Sequence, residues 1–156
     1  MAYDKKQYSK KNYKPAEKKT EYKPKRGPLS KLMTEEDKQK AGIHELSYDF
    51  ACRITRLFQY LTEDAEYKEY VQSKLIYRSG TSIGANIAEA QYAQSRPDFV
   101  SKMHISLKEA SETRYWLRIL DATEMLDKSQ VSGLMSDCNE LINMLIATCK
   151  TTKNEQ

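Results

Sequence analysis

The chain has 156 residues, a length that suits one domain, and 39% of them are hydrophobic and 31% charged. With only five glycines and four prolines, the composition favours a helical protein. No apolar run approaches the ~20 residues needed to span a bilayer. No apolar stretch follows the first residues, as it would in a secretory signal. We therefore expect a cytoplasmic protein without a membrane segment.

The residue types that carry most protein chemistry are sparse. Cys52, Cys138 and Cys149 lack metal-site or redox spacing and lie in apolar helical patterns, so we expect buried free thiols in a reducing compartment. Neither His44 nor His104 follows a glutamate by three residues, as the metal sites of helical bundles require. The sequence has no glycine-rich phosphate loop and no nucleophile elbow. It therefore predicts no enzyme, no metal and no cofactor.

Residues 1–28 differ sharply from the remainder. They hold ten basic and three acidic residues, a net charge of +7, whereas the rest of the chain holds 16 basic and 19 acidic residues, a net charge of −3. The segment has no Leu, Ile, Val or Phe, and it holds three of the four prolines. Such a segment cannot bury enough apolar surface to fold, so we predict a disordered tail.

The composition of this tail indicates a partner. Lysines can neutralise phosphates, and the interleaved Tyr3, Tyr8, Tyr13 and Tyr22 can stack on unpaired bases. We predict an arm that binds RNA or DNA, and the alternative is a solubilising tail without a specific partner. The basic residues of this arm are Lys5, Lys6, Lys10, Lys11, Lys14, Lys18, Lys19, Lys23, Lys25 and Arg26.

The remaining chain reads as a linker and four helices. Residues 29–42 form a polar linker, in which Thr34 could cap a short helical turn that Gly42 ends. Amphipathic spacing predicts a first helix from Ile43 and a second over about 67–92. Ser95 and Ser129 are the expected N-caps of the third and fourth helices. Residues 43–153 therefore predict an all-α fold, an antiparallel up-down-up-down four-helix bundle behind a disordered basic tail.

The second helix is unusual because Gly80, Gly84 and Ala88 lie four residues apart on one side. Two glycines inside a helix cost about 1 kcal/mol each relative to alanine. Small residues in register allow a second backbone to approach closely, so we expect this side to serve an interface. Arg78, Ser82, Asn86 and Glu89 form a polar ridge along one edge of the apolar stripe with which the second helix faces the core. In the third helix, Ile105, Tyr115, Trp116 and Ile119 lie outside the apolar stripe that faces the core.

Two stretches within these helices resemble signatures of a known family. RSGTSIGANIAEA at residues 78–90 and KEASETRYWLRIL at residues 108–120 are similar to the two motifs of bacterial four-helix bundles named after 23S rRNA intervening sequences. The likeness extends over about residues 46–149. It implies a left-handed bundle that assembles as a ring, typically a homopentamer, without catalytic residues. Relatives include the accessory protein of diversity-generating retroelements, which binds nucleic acid and a reverse transcriptase.

Our leading hypothesis is a non-catalytic oligomer that binds nucleic acid, which we expect to be RNA, through a basic arm, and the family resemblance adds an accessory role to a reverse transcriptase as one expected use. The alternatives are a protein-interaction scaffold and a structural oligomer without nucleic acid. If the tail does not bind, the next candidates are the body residues Lys74, Lys102, Lys108 and Arg118.

The predicted antiparallel pairing of the second and third helices brings Arg78 level with Glu112. We predict a partly buried ion pair between them, because a guanidinium can engage a carboxylate through two hydrogen bonds. This pair would fix the register of the two helices. The residues assigned to structure or oligomer contacts are Arg78, Gly80, Ser82, Gly84, Asn86, Ala88, Glu89, Glu112, Tyr115 and Trp116.

Overall fold

The computed structural model describes residues 33–65 and 68–154, and it has no strand in these ranges. The predicted tail therefore lies outside the described residues. The helices are α1 (Glu35–Lys40), α2 (Ile43–Gln59), α3 (Val71–Ala90), α4 (Arg96–Ala122) and α5 (Lys128–Asn154), and a π-helical turn, Tyr60–Asp64, extends α2. Helices α2 to α5 pack in sequence order, and α5 returns to contact α2. The predicted all-α four-helix bundle is confirmed.

The short helix α1 occupies the predicted linker and begins with a reciprocal cap. The Asp37 backbone N–H donates to Thr34 Oγ1 at 3.1 Å, and the Thr34 N–H donates to Asp37 Oδ2 at 3.2 Å. The Thr34 hydroxyl also donates to Asp37 Oδ2 at 2.6 Å, and this bond, followed by that from the Thr34 N–H, lowers the pKa of the Asp37 carboxyl. Thr34 therefore caps a short helix, as its position in the sequence predicts.

Two helix starts differ from the sequence prediction because other residues supply the caps. Helix α3 begins at Val71 rather than near residue 67, since the Glu69 carboxylate accepts from the N–H groups of Val71 (2.9 Å) and Ser73 (2.7 Å). Helix α5 begins at Lys128, and the Gln130 and Val131 N–H groups bond to the Asp127 carbonyl. The prediction that Ser129 is the N-cap is therefore wrong, because Ser129 lies inside the first turn of α5. Ser95 is confirmed, because its side chain accepts from the Asp98 N–H.

One apolar core runs through the bundle. Phe50, Ile54 and Leu57 of α2 meet inward residues of the other helices, and each of these three side chains is at most 1% exposed. Ile142 and Cys149 of α5 are also buried in this core. Burial raises the pKa of the Cys138 thiol to about 12, and this thiol donates to the Ala110 carbonyl. Cys138 is thus a core residue, as predicted.

The glycines of α3 face α2 of the same chain. A Cβ atom built on Gly80 would lie 2.9 Å from both Cγ1 and Cγ2 of Ile54. At Gly84 the nearest atom to such a Cβ is the Ser47 carbonyl oxygen, at 3.4 Å. The expected second backbone therefore belongs to α2, and Gly80 and Gly84 are packing residues within the chain.

These distances predict opposite effects on stability for the same substitution, glycine to alanine, at positions 80 and 84. Gly80→Ala forces a methyl group into the stiff, fully buried Ile54, so overpacking of about 1–3 kcal/mol should exceed the helix-propensity gain of at most ~1 kcal/mol. Gly84→Ala meets only ordinary contacts, and we expect it to be neutral or stabilising by up to ~1 kcal/mol. Urea unfolding of the two variants measures the difference. Equal stabilities would contradict the packing described here.

Candidate interaction surface

Helices α3 and α4 are joined by small, buried polar side chains, of which Ser79 and Thr113 belong to the motifs and Ser106 lies just before the second motif. Thr113 Oγ1 lies 2.9 Å from Ser79 Oγ, and Ser106 Oγ donates to the Ile83 carbonyl at 3.0 Å. The side chains of Ser79, Thr113 and Ser106 are at most 1% exposed. Because short hydroxyl side chains bridge the helices directly, the two backbones lie close together and in a fixed register.

This register is the predicted one, but the predicted ion pair is wrong. Arg78 and Glu112 are both exposed rather than partly buried. Glu112 Oε1 instead accepts from the Trp116 indole Nε1 at 3.2 Å, within its own helix. The cross-helix bond is made one position further along each helix, by Ser79 and Thr113. One residue turns a helix by about 100°, which moves Arg78 and Glu112 from the interface to its outer edge.

The motif residues that remain outside the interface form, together with the neighbouring Ile105, a surface along the α3–α4 pair, which we call the motif face. On α4, Ile105 is 37% and Tyr115 56% exposed, and the Tyr115 and Trp116 rings meet edge to face at 5.0 Å. Trp116 is itself partly buried. The motif face consists of Arg78, Ser82, Asn86 and Glu89 of α3 and Ile105, Glu112, Tyr115 and Trp116 of α4.

The structure therefore divides the residues that the sequence assigned to oligomer contacts. Gly80 and Gly84 face α2 and are used inside the bundle. Ala88, four residues further on the same side of α3, is partly buried. The other seven lie on the motif face, where the exposed Tyr115 and the partly buried Trp116 adjoin charged, hydroxyl and amide groups and the exposed Ile105. That mixture suits a contact with another protein surface.

The basic candidates of the body are scattered over α3 and α4. Lys74, Lys108 and Arg118 are exposed. Lys102 forms an ion pair with Glu89 across the two helices, and this hydrogen-bonded pair raises the pKa of the Lys102 ammonium. The charge of Lys102 is thus already matched, whereas Lys74, Lys108 and Arg118 remain available. The ten basic residues of the predicted arm, from Lys5 to Arg26, lie outside the described residues.

The described part of the chain holds no group of His, Cys, Asp or Glu side chains arranged to bind a metal ion. In the same residues no helix is long and apolar enough to cross a membrane.

The 23S rRNA-intervening sequence protein family matches residues 39–147, which include both motifs and most of the bundle. The chain belongs to this family. A crystal structure of a protein with unknown function from the S23 ribosomal protein family of Bacteroides thetaiotaomicron VPI-5482 is 48% identical to it. That match covers 70% of this chain and 99% of the other, with a TM-score of 0.67. No curated protein matches the chain.

Sequence reasoning missed a buried charged cluster between α2 and α5. The Arg53 guanidinium of α2 forms an ion pair with Asp137 of α5, and Asp49 is buried one turn before Arg53. A Cβ on Gly133 would lie 3.3 Å from Arg53 Nη2, so the glycine leaves room for the guanidinium. Burial lowers the pKa of Arg53, while the Asp49 charge acts in the opposite direction. The signal in the sequence was that Arg53 and Asp137 directly adjoin core residues, Ile54 and Cys138, in their helices.

This cluster predicts an order of destabilisation. Arg53→Met leaves two buried carboxylates without their cation and should cost about 3–5 kcal/mol of unfolding free energy. Asp137→Asn should cost less, because Asp49 still balances the guanidinium. Chemical denaturation of both variants gives the order, with Arg118→Met as a surface control expected within about 0.5 kcal/mol of wild type. A larger loss for Asp137→Asn would show that Asp137, not Arg53, is the centre of the cluster.

Proposed function

We propose that this protein is a non-catalytic homo-oligomer that binds RNA through its basic N-terminal arm. The observation that carries the proposal is the division of charge, with +7 on residues 1–28 and −3 on the remainder. A basic arm on a mildly acidic body concentrates the affinity for phosphates in the arm. The family name, which refers to a 23S rRNA intervening sequence, and the ribosomal protein family of the similar structure support RNA as the partner.

The motif face supports the oligomeric part of the proposal. It presents Ile105 and Tyr115 at the surface, beside Trp116, which packs partly against the core. Exposed apolar and aromatic groups that lie together commonly mark protein interfaces. We propose that a second copy of the chain covers this face and that the ring is a pentamer, as the family resemblance implies.

An assembled ring would bring several arms to one RNA molecule. Linked arms raise the effective concentration of every further contact, so weak individual arms can bind tightly together. A reverse transcriptase is the proposed protein partner, on the resemblance to retroelement accessory proteins. In that role the protein would hold an RNA template for an enzyme and perform no chemistry itself.

Removal of residues 1–28 tests the role of the arm. The bundle should stay folded, because its core lies between residues 46 and 149, but RNA affinity at moderate salt should fall steeply. Each phosphate neutralised on a single strand adds about 0.7 to the slope of log affinity against log salt. The truncated chain should therefore show a slope smaller by several units. Fluorescence anisotropy with a labelled single-stranded RNA measures both quantities.

A matched control replaces the ten basic arm residues by glutamine and keeps the four tyrosines. This variant should lose the salt slope as the truncated chain does, because the slope reports charge. Unchanged affinity after truncation would contradict binding by the arm and would move the site to Lys74, Lys108 and Arg118. A full-length chain that does not bind RNA at low salt would contradict the proposed function itself.

A further inference from the structure

The second motif contains a cation that neither the core nor the motif face uses. Arg114 of α4 is partly buried and reaches α5, where its Nη1 donates to Asn139 Oδ1 at 3.5 Å. A guanidinium carries five N–H donors, and this long hydrogen bond to a neutral amide uses one of them. The bond lies at an exposed position. The other donors of Arg114 are therefore open to an acceptor outside the chain.

Arg114 also differs from the cations that the bundle pairs internally. Arg53 and Lys102 each form an ion pair with a carboxylate of a neighbouring helix. Within the part of the chain that the structure describes, Arg114 has only the Asn139 amide as its hydrogen-bond partner. The positions one turn away from it on α4 hold no acid, since they are Ala110, Ser111, Leu117 and Arg118. Its positive charge is thus unmatched by a nearby carboxylate of its own helix.

Further polar groups line the same side of these two helices. Ser111 and Arg118 lie one turn before and one turn after Arg114, and both are exposed. On α5, Asn143 is exposed one turn after Asn139. We call the surface formed by these five residues the α4–α5 strip. Arginine, serine and asparagine side chains are among those that contact phosphate oxygens in nucleic-acid complexes.

Acidic residues border this strip but do not lie on it. On α4, Glu112 bonds to Trp116 of the motif face, and Glu109 lies on the same side, towards α3. On α5, Asp137 pairs with α2, and Glu140 lies three residues further on that side. The other acids of these helices and their connection lie towards the ends, and they are Asp98, Asp121, Glu124 and Asp127.

The nearest of these acids along α4 is Asp121, three residues after Arg118. Among the described residues, neither it nor any other carboxylate forms an ion pair with Arg118. The strip itself therefore holds two cations and no acid, although the body as a whole is mildly acidic. Such a local site suits one phosphate group rather than a long polyanion.

We propose that the α4–α5 strip binds a backbone phosphate of RNA through the guanidinium groups of Arg114 and Arg118. This inference rests on the proposed RNA binding and adds to it a contact of the folded bundle, separate from the arm. The planar guanidinium can donate two parallel hydrogen bonds to a phosphate, and Asn139 holds that of Arg114 in place. Because every nucleotide carries the same phosphate, the contact does not depend on the RNA sequence.

The test uses the full chain with Arg114→Gln and Arg118→Gln, and it measures fluorescence anisotropy with a labelled single-stranded RNA. Each substitution should weaken binding by about tenfold, the size of one hydrogen bond to a charged group. It should also reduce the slope of log affinity against log salt by about 0.7, the share of one phosphate. Arg114→Lys keeps the charge but not the fork, so it should keep the slope and lose part of the affinity.

Asn139→Asp separates phosphate binding from a structural role of Arg114. It places a carboxylate where the amide oxygen now lies, 3.5 Å from Arg114 Nη1, so the guanidinium gains an ion-pair partner inside the chain. The affinity for RNA should fall at least as far as in Arg114→Gln, while the urea midpoint of unfolding stays the same or rises. If Arg114 only supports the fold, Asn139→Asp will bind RNA as the wild type does, and the proposal is refuted.

Lys68→Gln is the matched control, because it removes one positive charge from an exposed residue before α3, outside the two helices of the strip. It should bind nearly as the wild type does. An equal loss for Lys68→Gln and Arg114→Gln would indicate general charge attraction and contradict a local site.

The same experiment distinguishes this inference from binding by the arm. If Arg114→Gln and Asn139→Asp keep the wild-type affinity, the strip is refuted while the arm stands. If the wild-type chain binds no RNA, both proposals fail. A smaller oligomer mass for Arg114→Gln in light scattering would assign the strip to contacts between copies of the chain, and it too would overturn the phosphate site.

Discussion

The close packing of α3 against two neighbours determines the arrangement of this bundle. Gly80 has no space for a methyl group beside Ile54 of α2, and on the next side of the helix Ser79 meets Thr113 of α4 at 2.9 Å. Either contact would be lost if α3 carried ordinary core side chains. Two interior glycines cost about 1 kcal/mol each in helix propensity, and the packing they permit offsets that cost. The position of α3 in turn fixes the register of α2 and α4.

This constraint explains why the motif on α3 contains so few large residues, and why the two motifs together leave a distinctive surface. The small residues of the motifs pack between the helices, and the larger polar and aromatic side chains face outwards. The outer side of the α3–α4 pair becomes the motif face, which we assign to a second copy of the chain. Helix α3 thus serves the core and also borders the motif face.

The sequence predicted the fold because hydrophobic periodicity reports burial, and every helix of the bundle has a regular apolar stripe. It failed where the outcome depended on a single turn of a helix. Arg78 and Glu112 are level with each other, but both face outwards, and periodicity could not distinguish them from Ser79 and Thr113. The start of α3 depends on the Glu69 carboxylate, although Glu69 lies one residue before the N-cap, where a capping side chain is not expected. Arg53 was overlooked because a buried charge is recognisable only when its partner, Asp137 on a distant helix, is known.

The claim on which this account depends is that the motif face is covered by another copy of the chain. Light scattering at micromolar concentration measures it directly, by comparison with the 18.1 kDa of one chain. The account predicts a mass about five times that value for the wild type. Ile105→Glu should give a much smaller mass, because it places a charge in the interface, whereas His104→Glu, one residue away on the exposed side of α4, should not. A wild-type mass of one chain, or equal effects of the two substitutions, would contradict the account.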